Sequence, residues 1–393
     1  MDRMTKKTYK VMIVAGETSG DLHAAKLVKA MRDAEPNADF AFFGAAGDKM
    51  REAGVDSVVD SNGLSIVGLL EIARALPTFL RVFNKLKKAA IERRPDVVIL
   101  VDFPDFNLKL AKALSKRDIK IVYYISPQLW AWRQYRIRTI RKYVDLVISI
   151  LPFEKSWYSE RGVNHVEYVG SPLAREVHPT VDKLTFRTSH ELDPNAPIIS
   201  LLPGSRHKEI ARILPVMLEA AAIMSDSSPE IQFLIPVATD NSVADVEAVL
   251  AKARSKGLKL PEKLITVRNE TFDALNASDV AAVASGTATL ETGIIGTPMC
   301  IVYKTSALNY GLLRPLIDVE HFGLVNLIAE ERVAVELIQD DFTAQRLAKE
   351  LFRLLESNEN SRVRERLRIA TDKLGHGGAS RRAAEAIMNL WES

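Results

Sequence analysis

The sequence predicts an α/β protein made of two doubly wound, Rossmann-like domains, and three observations favour this fold. The chain has 393 residues, a length typical of two domains. Short runs rich in Val and Ile alternate with helical patterns, as in parallel sheets covered by helices. A polar, proline-containing stretch, residues 173–197, separates two such series and is interpreted as a linker.

The predicted strands fall into two series along the chain. The first series is "YKVMIVAG", "DFAFFGAAG", "DVVILVDFP", "KIVYYISP", "LVISILPF" and "VEYVGSP", and the second is "PIISLLPGSR", "QFLIPVA", "LITVRN", "DVAAVASG" and "MCIVYK". The expected domains are residues 1–180 and 181–355, with helices from about 355 to 393 packing on the first domain or on a partner chain. Ligands of such folds bind beyond the carboxyl ends of the strands, where most polar motifs of this sequence lie.

Composition excludes several classes of protein. The 53 basic and 50 acidic residues give a net charge of +3, which argues against a nucleic-acid-binding protein. Cys300 lies in an apolar run and is expected to be a buried structural residue. No apolar stretch reaches the roughly 18 residues that span a bilayer, and the N-terminal apolar run is too short for a signal peptide. A cytoplasmic location is therefore expected.

An ordered set of motifs resembles the lipid-A-disaccharide synthase family of GT-B glycosyltransferases. The motifs are "VAGETSGD", "VDFPDFN", "YYISPQLWAWRQYRI", "LPFEK", "LLPGSR", "ASGTATLE" and "LVNLIAE", and "LGHGGASRRAAE" extends the match to the C-terminus. One departure is Ser171, which stands where the family usually carries His. The resemblance implies a GT-B fold with two domains facing a cleft.

The resemblance also implies a reaction in lipid A biosynthesis, the route to the lipid anchor of Gram-negative lipopolysaccharide. The family transfers 2,3-diacylglucosamine from UDP-2,3-diacylglucosamine to the 6-OH of 2,3-diacylglucosamine 1-phosphate (lipid X), which gives a β-1,6 disaccharide 1-phosphate and UDP. Inversion in one displacement needs no covalent nucleophile. No metal or other cofactor is expected, because the sequence has no Asp-x-Asp between strands and no His/Cys cluster with ligand spacing.

Two other classes remain open at this stage. One is another GT-B enzyme of UDP-sugars, such as a UDP-GlcNAc epimerase, and the other is a non-enzymatic nucleotide- or lipid-binding protein. Product analysis with acylated and unacylated UDP-sugars separates another GT-B enzyme from a lipid-A-disaccharide synthase.

The second half of the chain carries the candidate UDP site. Gly204, Ser205 and Arg206 follow a strand and precede a helix, where backbone N–H groups attract anions. Arg206 suits a diphosphate and could stabilise the charge of departing UDP, although a surface arginine on a turn has the same pattern.

A second turn in this half is rich in small hydroxyl residues, which suit phosphate or cap a helix. Glu291 lies one helical turn beyond Thr287, and the resemblance implies that it binds the ribose. The resemblance adds Asn326, Glu336 and Gln339 as candidates, while Asn326 could equally be structural. The candidates in these segments are Ser285, Gly286, Thr287, Glu291 and Asn326.

The first half carries the candidate acceptor site. Asp102 ends a strand and is the preferred general base for the acceptor hydroxyl, as the resemblance also implies. Asp105 is next best, or it caps the following helix. The opening turn contains Gly16, Glu17, Ser19 and Gly20. Its glycines let the backbone approach a ligand closely, and its carboxylates, Glu17 and Asp21, suit sugar hydroxyls better than phosphate. Glu17 is therefore a rival base.

Two further segments complete the predictions for the first half. Trp132 and Arg133 belong to a basic, aromatic stretch that could meet a phosphorylated, acylated sugar, or that could be a core aromatic pair beside a solvated basic surface. Residues 63–94 are apolar and basic, which predicts peripheral binding to the anionic cytoplasmic surface of the inner membrane unless the segment simply packs on the core. Pro77 is expected to break this helix. The predicted membrane-facing side chains are Leu69, Leu70, Leu76 and Phe79.

Overall fold

The computed structural model describes residues 7–61, 69–117, 119–237, 239–305 and 320–392. The chain divides into two compact units. The first unit comprises Met1–Pro172 together with Gly377–Ser393, and the second comprises Leu173–His376.

The first unit contains a parallel sheet in the order β3-β2-β1-β4-β5-β6-β7. Its strands are β1 (Thr8–Ala15), β2 (Asp39–Ala46), β3 (Asp56–Asp60), β4 (Val97–Val101), β5 (Lys120–Tyr124), β6 (Leu146–Ser149) and β7 (Val166–Tyr168). Its helices are α1 (Thr18–Ala34), α2 (Asp48–Glu52), α3 (Leu69–Arg93), α4 (Pro104–Leu114), α5 (Ile137–Tyr143), α6 (Glu154–Ser159) and the C-terminal α16 (Ala379–Glu392), with 3₁₀ turns at Ser115–Arg117 and Gln134–Arg136.

The second unit contains a parallel sheet in the order β10-β9-β8-β11-β12-β13. Its strands are β8 (Ile198–Leu202), β9 (Gln232–Val237), β10 (Leu264–Arg268), β11 (Val280–Ala284), β12 (Met299–Tyr303) and β13 (Val335–Ile338). Its helices are α7 (Leu173–Glu176), α8 (Lys183–Ser189), α9 (His207–Ser227), α10 (Asp240–Ser255), α11 (Thr271–Ala277), α12 (Thr287–Ile295), α13 (Leu324–Ala329), α14 (Ala344–Leu355) and α15 (Ser357–Asp372), with a 3₁₀ turn at Gln339–Asp341.

Both sheets confirm the predicted doubly wound α/β fold. The central strands are buried along their whole length, because apolar runs without alternation are covered by helices on both faces. The burial of Cys300 in β12 is also as predicted. The strand order reverses between β1 and β4 in the first sheet and between β8 and β11 in the second. These two switch points are where ligands bind in open α/β sheets.

The last two helices belong to different units. Helix α15 packs against α12 and α13 in the second unit. Helix α16 packs against α1 in the first unit, where its Trp391 stacks on Tyr9 with ring centroids 4.4 Å apart. The final segment of the chain therefore completes the core of the N-terminal sheet.

The segment interpreted as a polar linker, residues 173–197, is part of the second unit. It forms α7 and α8, and Phe186 and Arg187 of α8 are buried. The Arg187 guanidinium donates to the carbonyl of Ala277 and to the carboxylate of Asp279. The composition of this segment was misleading, because Phe186 and Arg187 anchor it to the second unit although most of its other charged residues are exposed.

Helix α3 differs from the prediction at Pro77, because the helix continues through this residue. A proline removes only its own N–H bond, and the other turns of this long helix retain theirs. Phe79 packs edge-on against Phe106 at 4.9 Å, so this predicted membrane-facing ring belongs largely to the core. The side chains of Leu69, Leu70 and Leu76 lie outside the described residues. Within the described ranges, no helix has the length and apolarity required to cross a bilayer.

Candidate active site

A cavity of about 480 Å³ lies at the switch point of the second sheet. Helices α9 and α12 both begin at this cavity, so their N-terminal N–H groups and helix dipoles favour an anion there. Its lining brings together most of the predicted UDP-binding residues, namely Gly204, Ser205, Arg206, Ser285, Gly286, Thr287 and Glu291. The geometry of this cavity therefore suits a diphosphate.

Arg206 occupies the N-cap position of α9 and its side chain is 73% exposed. Its Nη1 lies 3.0 Å from Oε1 of Glu209, and an ion pair this exposed contributes little to stability. Gly204 has a φ of +101°, a backbone conformation that favours glycine. A Cβ at this position would also lie 2.5 Å from Oε2 of Glu209. The turn thus places the weakly paired guanidinium of Arg206 beside the N-terminus of α9, where an anion can bind.

The hydroxyl groups of the second turn are largely engaged in the fold. Oγ of Ser285 donates to the carbonyl of Phe322 at 2.7 Å, and Oγ1 of Thr289 donates to the carbonyl of Gly286 at 2.8 Å. The turn therefore offers exposed backbone at Gly286 and Thr287 to a ligand. Burial raises the pKa of Glu291, which lines the same cavity.

Asn326 is bonded within the fold, as the structural alternative for this residue expects. It is fully buried, and its Oδ1 accepts from the backbone N–H groups of Val333 and Ala334 at 2.9 Å each. Its Nδ2 donates to Glu336 at 2.9 Å, and the same carboxylate accepts from the N–H group of Gly323. Gln339 is likewise bonded to the backbone of Thr305. Asn326 and Glu336 thus hold the segment around α13 in place, and Gln339 holds the chain just after β12.

Asp102 lies at the switch point of the first sheet, directly after β4. It and Phe103 both adopt left-handed backbone conformations, with φ of 47° and 50°, which non-glycine residues rarely adopt and which often mark functional sites. Burial, and secondarily the charge of Glu17, raise the pKa of Asp102 to about 6, while the N–H group of Phe103 opposes the shift. Such a carboxylate is ionised at neutral pH yet basic enough to take a proton.

The opening turn lies at the same switch point, after β1. Glu17 and Ser19 are exposed, and the side chain of Glu17 makes no capping bond to α1. Asp21, in contrast, is buried and accepts from the N–H groups of Gly47 and Lys49 at 2.7 and 2.8 Å, so it holds the start of α2. Of the carboxylates of Glu17 and Asp21, only that of Glu17 is therefore available to a ligand.

The two glycines of the opening turn differ in what surrounds them. A Cβ on Gly16 would lie 2.3 Å from the ring of Phe103, so this glycine makes room for that ring. A Cβ on Gly20 would meet its neighbours at 3.6 Å or more, which is ordinary contact. The lack of a side chain at Gly16 therefore allows the Phe103 ring to pack against this turn.

Asp105, Trp132 and Arg133 form one cluster in the first unit. Asp105 lies in the first turn of α4, whereas the N-cap position expected as its alternative is taken by Phe103. Its Oδ1 accepts from Nη1 of Arg133 at 3.0 Å and also pairs with Arg136. The Arg133 guanidinium lies 4.1 Å from the centroid of the Trp132 ring. The cluster offers cations and an aromatic face together, as the acceptor prediction requires.

A buried carboxyl that the sequence analysis did not single out connects two of the motifs. Oε1 of Glu154, in "LPFEK", accepts from Nε1 of Trp130, in "SPQLWAWRQYR", at 3.2 Å. Burial raises the pKa of Glu154 to about 8, against opposing hydrogen bonds led by that of Trp130. The carboxyl is therefore protonated at neutral pH, and a buried Trp–Glu bond anchors the aromatic loop.

Comparison with solved structures shows the same fold at low sequence identity. The MnaA protein of S. aureus in complex with UDP matches with a TM-score of 0.61 and 15% identity, over 98% of this chain and 97% of that one. The calicheamicin glycosyltransferase CalG4 matches with a TM-score of 0.59 and 15% identity, over 99% and 98% of the two chains. A UDP-N-acetylglucosamine 2-epimerase matches with a TM-score of 0.62 and 12% identity, over 98% and 97%. These neighbours confirm the expected GT-B fold.

Comparison with known sequences is more specific. The chain is 43% identical to the lipid-A-disaccharide synthase of Trichlorobacter lovleyi over 384 residues, which are 98% of each chain. It is 44% identical to that of Syntrophus aciditrophicus over 381 residues, which are 97% of each chain. A family model described as lipid-A-disaccharide synthetase matches residues 11–390. The chain therefore belongs to the lipid-A-disaccharide synthase family of glycosyltransferases.

Proposed function

We propose that the chain transfers 2,3-diacylglucosamine from UDP-2,3-diacylglucosamine to the 6-OH of 2,3-diacylglucosamine 1-phosphate (lipid X) with inversion. Membership of the family supports this reaction. The contrast between the two switch points supports the role that we propose for each residue. One is a cavity with Arg206 and two helix N-termini, and the other holds Asp102 with its raised pKa beside Glu17.

In the second unit, the diphosphate of the donor binds at the starts of α9 and α12. Arg206 neutralises the charge that develops on UDP as the glycosidic bond breaks, and Glu291 accepts from the ribose. In the first unit, Asp102 takes the proton of the acceptor hydroxyl as that oxygen attacks the anomeric carbon. Glu17 raises the basicity of Asp102, and Arg133 binds the acceptor phosphate.

The acyl chains of both substrates place the reaction at a membrane surface. We propose that α3 and the basic residues near it bind the anionic cytoplasmic surface of the inner membrane peripherally. Flotation with anionic liposomes tests this, and unchanged binding after Leu69→Ser, Leu70→Ser and Leu76→Ser would exclude it. A homodimer is a further proposal, for which the mass of the protein in detergent is the measurement.

The decisive experiment is incubation with UDP-2,3-diacylglucosamine and lipid X. The expected products are UDP and one disaccharide 1-phosphate in equal amounts. A matched reaction with unacylated UDP-GlcNAc separates the alternative, since an epimerase would convert that sugar nucleotide without any acceptor. Absence of disaccharide with both acylated substrates present would refute the proposal.

A further inference from the structure

The backbone of Asp102 is held by two buried side chains from neighbouring elements. Its carbonyl oxygen accepts from Oη of Tyr123 at 2.6 Å and from Nδ2 of Asn107 at 2.7 Å. Both donors are fully buried, Tyr123 in β5 and Asn107 in α4. Nδ2 of Asn107 also lies 3.2 Å from the carbonyl of Val101. The end of a strand does not require two side-chain donors on one carbonyl oxygen, so this arrangement needs another explanation.

These donors act where two consecutive residues have positive φ. Asp102 and Phe103 are consecutive left-handed residues, a conformation that non-glycine residues adopt only at a cost in free energy. Such a conformation persists only where several contacts with the surrounding structure hold it in place. The N–H group of Asp102 is also bonded, to the carbonyl of Tyr124 at 3.1 Å. Both peptide groups that flank the Asp102 side chain are therefore fixed.

The Asn107 side chain acts here only as a hydrogen-bond donor. Its Oδ1 is buried and has no hydrogen-bond partner among the described residues. The reverse orientation would place that oxygen against two carbonyl oxygens, so the amide can satisfy only its donors. A buried acceptor without a partner is destabilising, and the fold tolerates it while Nδ2 bonds the carbonyls of Val101 and Asp102. Burial raises the pKa of Tyr123 well above its usual range, so its hydroxyl stays protonated and able to donate.

We propose that Tyr123 and Asn107 are positioning residues that lock the left-handed turn at Asp102, so that its carboxylate keeps one orientation for proton abstraction. The inference rests on the proposed role of Asp102 as the base and deepens it. Neither residue touches the acceptor. Their contribution is to preorganise the base, since an incorrectly oriented carboxylate loses much of the advantage of proximity.

The test compares Tyr123→Phe, which removes one hydroxyl, in the native protein and in the Asp102→Asn background. In the native protein we expect kcat to fall about tenfold, the effect of one lost hydrogen bond on the reacting state, with both KM values changed less than about twofold. We also expect the acid limb of the pH–rate profile to move to lower pH, because a released carboxylate is better hydrated. In the Asp102→Asn background we expect Tyr123→Phe to change kcat less than about twofold, because residues that act as a unit are non-additive.

The matched control is Thr297→Val, which removes a buried hydroxyl bond of 2.8 Å to the carbonyl of Leu275 in the second unit. It should lower the melting temperature to a similar degree and leave kcat unchanged. If Tyr123→Phe does not fold, Asn107→Ala is measured in the same two backgrounds with the same expectations. An unchanged kcat, or a tenfold loss that persists in the Asp102→Asn background, overturns the positioning role. Full activity of Asp102→Asn alone overturns the proposed base instead.

Discussion

Replacement of Asp102 by Asn should reduce activity and increase stability together. Asn keeps the shape of the side chain and tolerates the left-handed backbone, so the turn should survive. Loss of a general base lowers kcat by about 10²–10⁴-fold. The pKa of Asp102 rises from 3.8 to about 6 in the folded protein, a shift equivalent to up to about 3 kcal/mol of destabilisation at neutral pH. Because the side chain is only partly buried, we expect a gain of about 1–3 kcal/mol on replacement.

The sign of the pH dependence provides a second test of the same substitution. Between about pH 4 and pH 6 the folded protein holds a proton that the unfolded chain has released, so this group makes stability fall as pH rises. The Asn variant should lack that fall. Urea unfolding at pH 4 and pH 7 measures it, alongside a UDP-release assay for kcat. Asp96→Asn, at the other end of β4, is the control that should retain turnover. An Asn variant that keeps kcat within tenfold, or that is less stable than the native protein at pH 7, refutes the reasoning.

Three further substitutions test the electrostatics of the site. Glu17→Gln removes a charge that raises the pKa of Asp102, so the acid limb of the pH–rate profile should move to lower pH; an unmoved limb would contradict the coupling. Arg206→Ala should lower kcat by about 10²-fold, as loss of one preorganised electrostatic group does, and isothermal titration should show weaker UDP binding; full turnover would exclude this role. The pKa of Glu154 is raised from 4.5 to about 8, so stability from this group falls as pH rises through that range. Glu154→Gln should therefore unfold at a higher temperature than the native protein at pH 9 but not at pH 4, and equal melting temperatures at pH 9 would contradict it.

The strands and the positions of the turns were predictable because they depend on local sequence. Buried parallel strands require continuous apolar runs, and the turns after β1, β4, β8 and β11 carry the glycine and polar residues that the sequence analysis identified. The short edge strands β3 and β13 were missed.

The roles of individual polar residues were less predictable because they depend on partners distant in sequence. Asn326 resembles a binding residue until Glu336 and the backbone around Ala334 are seen to satisfy it. Gly16 resembles a substrate-facing glycine until the ring of Phe103 is seen against it. A polar residue in an apolar run indicates a demand for hydrogen bonds, and only the fold shows whether protein or ligand meets that demand.

The two switch points have the same topology, so the difference between them must come from side chains. Arg206 and two helix N-termini supply the second with donors and a cation that suit a diphosphate, although Glu209 and Glu291 also line it. Two acidic side chains give the first the opposite character, and the Coulombic effect of Glu17 on the pKa of Asp102 measures their repulsion. A phosphate placed there would add to that repulsion, whereas a neutral hydroxyl would relieve it by donating a hydrogen bond and then its proton. Charge therefore supports the proposed assignment of donor and acceptor to the two units, and tighter binding of UDP by the Asp102–Glu17 pair than by the Arg206 cavity would contradict it.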